Sequence, residues 1–114
     1  SHLAVKDMIA LMRWLYIPED DLALAQVLRS PLVGFSEQQL FELAHQRNGV
    51  SLWHRLRPHA FLENLQQRKH LTPYGFLHRL LEVDGKRQAY ASRFGHEIHE
   101  ILDALLEHAF MCEE

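Results

Sequence analysis

Apolar residues recur at three- and four-residue intervals from one end of the chain to the other, and strand-like alternation is nearly absent. The pattern predicts an all-α fold of about seven to eight short helices. The first is predicted over Leu3–Tyr16, with Val5, Met8, Ile9, Met12, Leu15 and Tyr16 on its buried face. Pro18 closes that stretch, and Asp20 or Asp21 can cap a second helix reaching Arg29, which buries Leu22, Leu24, Val27 and Leu28. Ser30-Pro31 ends it, because proline disfavours the α conformation in the residue before it and has no N–H to donate. Gly34 permits a tight bend, and Ser36 with Gln39 three residues later fits a capping box for a third helix.

The third helix is expected to bury Leu40, Phe41, Leu43 and Ala44 and to stop near Asn48-Gly49. A short helix follows Ser51 with Leu52, Trp53 and Leu56, and Pro58 separates it from another through Phe61, Leu62 and Leu65. Thr72-Pro73 pairs an N-cap with proline at the first helical position, leading into Phe76, Leu77, Leu80 and Leu81. Asp84-Gly85 breaks that helix, 88–94 forms the next, Gly95 terminates it, and 96–111 forms the last.

Composition narrows the class. A chain of 114 residues is one domain at most, able to bury about two thirds of the surface its unfolded form exposes. Its 47% hydrophobic and 24% charged content is that of an ordinary globular protein. No apolar run approaches the roughly 18 residues of a membrane span. Cys112 stands alone, so neither an intramolecular disulfide nor a zinc-thiolate site can form, which favours a reducing, cytoplasmic setting. The start carries no signal-peptide pattern. Ser1-His2 reads as a cloning scar, and 3–114 as a single helical subdomain excised from a larger protein.

Charge is unevenly spread. Residues 1–44 carry three basic and six acidic side chains; residues 45–93 carry nine basic against three acidic, with five histidines; from Phe94 onward there are six acidic residues and no Lys or Arg. The basic middle suits phosphates, whose neutralisation releases counterions, and suits equally a solvated face or pairing with the acidic end.

Missing motifs exclude some chemistry. No Gly-x-x-x-x-Gly-Lys-(Ser/Thr) loop cradles nucleotide phosphates, and no apolar run ends in paired acids for Mg²⁺, so the chain is not expected to hydrolyse ATP alone. His96 and His99 share a helical face but lack the His-Glu-x-x-His spacing and a third ligand, so no metal site is expected. Ser30 has no assigned base or orienting acid and reads as a helix terminator. Trp14, Trp53 and Phe61 lie at helical spacing with leucines, which favours core packing over base stacking.

The run Pro18-Glu19-Asp20-Asp21-Leu22-Ala23-Leu24-Ala25-Gln26-Val27-Leu28-Arg29-Ser30-Pro31-Leu32-Val33-Gly34-Phe35-Ser36 resembles the accessory 2B region of superfamily 1 DNA helicases of the UvrD/RecB type, most closely the AddA helicase-nuclease family. The upstream helix, Ser51-Leu52-Trp53-His54-Arg55-Leu56 and 76–94 resemble further segments of that region. The resemblance implies an accessory subdomain of an ATP-dependent helicase-nuclease acting in double-strand-break repair. It would guide duplex DNA or pack against the remaining helicase lobes and an AddB-type partner subunit. ATP and Mg would belong to the parent enzyme, with no cofactor here.

By the same resemblance, backbone amides of Gly34, Phe35 and Ser36 would hold a duplex phosphate, as a helix N-terminus can, with Arg29, Arg47, Arg55 and Arg57 as further phosphate contacts. Leu32-Val33 and Ser36 depart from the basic pair and second glycine of UvrD-type members, and Ser36 serves as well as a plain N-cap, with Phe35 a hydrophobic staple on Leu40. The alternative class is a helical protein-interaction module that never meets DNA; a small metal hydrolase would require zinc to co-purify. Because imidazole titrates near about pH 6.5, polyanion binding should tighten between about pH 8 and 5.5. A binding isotherm that does not move over that interval contradicts a role for the histidines.

Overall fold

The computed structural model describes residues 2–113, and it is all-α. Among the described residues there are eight α-helices: α1 Leu3–Tyr16, α2 Asp21–Arg29, α3 Glu37–Ala44, α4 Leu52–Leu56, α5 Ala60–Gln66, α6 Pro73–His78, α7 Lys86–Phe94 and α8 Ile98–Met111, with a wider π-helical segment, Arg79–Val83, continuing α6. The chain falls into two compact units, 1–66 and 67–114.

In the first unit α1 packs on α2, and α2 in turn meets α3 and α4. The face α1 buries is the expected one only in part, at Met8 and Leu15. Ala4, Asp7, Met8, Ala10, Leu11, Trp14 and Leu15 are buried, whereas Ile9, Met12 and Tyr16 are exposed. Nearly every side of this helix is apolar, so periodicity alone does not choose a face. The small Ala4 and Ala10 are buried in the chosen face, and the buried Asp7 accepts a 2.7 Å bond from Gln26 Nε2 of α2. On α2, Leu24, Val27 and Leu28 are buried as expected, but Leu22 is 86% exposed.

Local signals set the ends of α2 and α3. Asp20, not Asp21, caps α2 by accepting from the Ala23 amide, which frees Asp21 for another task. Ser30 ends α2 with its hydroxyl donating to Val27 O at 2.6 Å and accepting from Leu32 N. The Ser36/Gln39 capping box forms in full. Yet α3 buries no residue completely, and Phe41 lies exposed, stacked on His45 with ring centroids 5.0 Å apart. The helix also stops earlier than expected, at Ala44, and Gln46, Asn48 and Gly49 follow with positive φ.

In the second unit α8 packs on α6 and α7, and Phe76, Leu80, Leu81, Tyr90, Ile98 and Leu102 are buried. Thr72 caps α6 as expected, with Pro73 at its start. The last helix begins at Ile98, two residues beyond expectation, because Gly95 with φ +89° is followed by three tighter i to i+3 bonds. Arg68, 6% exposed, makes a two-pronged pair with Asp84 at the end of the π segment, at 2.5 and 3.0 Å. Arg87 of α7 reaches Glu82 and Asp103 of α8 (2.9 and 2.6 Å). The Glu82 hydrogen bond, opposed by burial and helped by Asp103, raises its pKa further above the usual arginine range. The basic middle is thus partly neutralised by its own acids, and the Arg87–Asp103 pair joins it to the acidic end.

Removing one partner of a buried ion pair leaves the other charge uncompensated. Asp84→Ala should destabilise the second unit by about 3–5 kcal/mol, and Leu24→Ala the first by about 2–5 kcal/mol. Phe41→Ala should stay within about 0.5 kcal/mol of wild type. Urea denaturation of the three variants checks the order, and an equal loss for Phe41→Ala contradicts the burial pattern.

Candidate functional site

The α2–α3 turn was the expected phosphate grip. Its three amides are already in use. The Gly34 N–H donates to Ser30 O at 2.7 Å, the Phe35 N–H to Leu28 O at 2.7 Å, and the Ser36 N–H to Gln39 Oε1 at 2.8 Å. Gly34, with φ +82°, supplies the left-handed backbone that lets the chain fold back to make the first two bonds. An anion held there would have to displace one of them, so the turn closes the α2–α3 hairpin on its own groups.

The four arginines divide. Arg29 pairs with Glu37 of α3 at 2.9 Å, both side chains largely exposed. Arg55 donates to the His45 and Gln46 carbonyls at 2.9 and 3.1 Å, covering the C-terminal end of α3, where a cation is favoured by the helix dipole. Arg47 is tied down most fully: Nε donates to Ala44 O, and Nη1 to Asp21 Oδ2 at 2.6 Å and Val50 O at 3.1 Å. The other oxygen of Asp21 accepts from the Leu52 amide at 2.9 Å. Asp21 thus joins the start of α2, the loop after α3 and the start of α4. Burial pushes its carboxyl pKa up, but the Leu52 amide, then the Arg47 hydrogen bond and charge, outweigh it and hold the group below the usual aspartate value.

Among the described residues, the side chain of Arg57 alone of the four has no hydrogen-bond or ion-pair partner. It follows α4, exposed, and opens onto a cleft of about 780 Å³ that also has Glu19, Asp21, Arg47, Trp53 and His54 in its walls. Trp53 is half-buried there and meets the fully buried Trp14 edge-to-face, ring centroids 5.0 Å apart at 78°. The expectation that Trp53 is core therefore holds only in part. The sequence does carry a signal for this cleft, the Trp53-His54 pair and Arg57 within one helical turn, but only the structure shows that Asp21 neutralises Arg47 and leaves Arg57 available. No three His, Cys, Asp or Glu side chains among the described residues gather to hold a metal ion, and the His96 and His99 rings lie 5.0 Å apart without a third group. Among the described residues no helix is long and apolar enough to cross a membrane.

Compared with protein-family models, curated proteins and solved structures, the chain matches none.

The depressed Asp21 pKa makes the first unit pH-sensitive. Since the folded pKa lies below the unfolded one, the unfolded chain takes up the proton first as pH falls. The stabilisation is complete above the unfolded value of about 3.9 and is lost as pH drops through the folded value. Asp21→Asn should lower the melting temperature at neutral pH and flatten its fall in acid. Thermal melts of both proteins from neutral pH to about pH 2 check this, and parallel curves contradict it.

Proposed function

We propose that the chain is an all-helical accessory region, 2B-like, of a UvrD/RecB-type DNA helicase-nuclease related to the AddA family, and that its main task is packing within that machine. The resemblance of 18–36 supplies the ancestry. The observation that favours packing over gripping a duplex at the α2–α3 turn is the exposed stripe Ile9, Met12 and Tyr16 on α1, beside Ile17 and Leu22, which are 55% and 86% exposed. A shallow groove between α1 and α2, about 370 Å³, has Ile9 and Leu22 in its walls with Lys6 and Arg13 beside them. Apolar surface of this kind, rimmed by charge, suits a protein neighbour.

The neighbour would be the remaining lobes of the parent enzyme or an AddB-type subunit. ATP and Mg would act in those lobes, and duplex DNA would be guided by the assembled enzyme rather than by Gly34, Phe35 and Ser36. A helical interaction module that never meets DNA is the second reading, since the same stripe serves it.

Ile9→Asp/Leu22→Asp changes exposed side chains only and should leave the melting temperature near wild type. Sedimentation of the protein with AddA-type motor lobes lacking this region should show a complex that the double variant loses. No complex with wild type, or equal complex with the variant, contradicts the reading. Among complexes that do form, DNA affinity falling steeply with salt separates the helicase role from the DNA-free module.

A further inference from the structure

We propose that the cleft beside α4 binds single-stranded DNA, with a base against the Trp53 indole and the adjoining phosphate held by Arg57 and His54. The observations are three. Trp53 is half-buried, lines an open cleft and meets the buried Trp14 ring edge-to-face. Arg57 and His54, both exposed, line the same cleft within one turn of it. The cleft's volume, about 780 Å³, exceeds that of a nucleotide and lies within the range of small-ligand sites.

An aromatic ring beside a cation is the common device for unpaired strands, because every base has a face to stack and every linkage a phosphate to neutralise. A paired base keeps both faces inside the helix stack, so this chemistry selects single strands. The charges facing the phosphate are all in one unit. Asp21 is neutralised by Arg47, which leaves Glu19 opposing Arg57 and His54. Glu19 therefore weakens the site, and its removal should strengthen it.

The inference rests on the reading of the parent enzyme as a DNA-processing machine, but it concerns a surface separate from the α1 stripe. The two can therefore fail independently.

The test is a titration of the whole chain with a short oligothymidylate and with a duplex of equal length at low salt, read by tryptophan fluorescence and anisotropy. The single strand should quench the indole emission and bind more tightly than the duplex. Arg57→Ala and Trp53→Ala should each weaken binding by about tenfold, the size expected for losing one stacked base or its phosphate anchor. Glu19→Gln should tighten it by about threefold, the size of one nearby charge in a solvated cleft. A control, Arg79→Ala in the other unit, should change nothing. Circular dichroism of Trp53→Ala checks that the helices persist; if they do not, Arg57→Ala and Glu19→Gln decide alone, by moving affinity in opposite directions. Binding that neither variant alters, a preference for duplex, or no binding at low salt overturns the proposal, while the α1 packing test stands apart from all three results.

Discussion

The geometry of the first unit's cleft depends on one carboxylate. Asp21 sits in the first turn of α2, accepts the Leu52 amide with one oxygen and Arg47 with the other, and so ties three chain segments that are far apart in sequence. Arg47 in turn holds the Ala44 and Val50 carbonyls, which fixes the path of the loop after α3. This explains why α3 ends at Ala44: Arg47 is drawn out of the helix toward Asp21, and Gln46 and Asn48 take the left-handed backbone that the turn demands. The cleft wall is the product of that clamp, and Trp53, His54 and Arg57 follow from where α4 is then allowed to start.

The same economy of charge governs the second unit. Arg68 is spent on Asp84, and Arg87 on Glu82 and Asp103, so two of the nine basic residues of the middle segment hold helices together. A sequence rich in arginine looks like a phosphate-binding face until the acids that neutralise it are located. Of the four arginines marked for DNA, three are committed to a carboxylate or to backbone carbonyls and one faces a cleft.

Much of the fold was legible because its signals are local. Ser36 with Gln39, Thr72 with Pro73, Gly85 and Gly95 each act within a few residues, and the helices begin or end close to where these residues stand. Burial was less legible. The α1 helix is apolar on several sides, and the choice between Ile9 and Leu11 is made by α2, through Asp7 and Gln26, a pairing that no local pattern announces. The π segment at Arg79–Val83 likewise had no mark in the sequence. For the site, the sequence marked a glycine turn as an anion grip by its residue types. It could not show that Ser30 O, Leu28 O and Gln39 already take those amides.

The proposed contact with nucleic acid is at the cleft beside α4 and not at the glycine turn, whose amides are already bonded. An amide NMR titration of the labelled protein with a short single strand measures this residue by residue. The predicted result is shifts confined to 47–57 and the Trp53 indole N–H, with Gly34, Phe35 and Ser36 unmoved. Shifts centred on those three amides, with 47–57 silent, would contradict it.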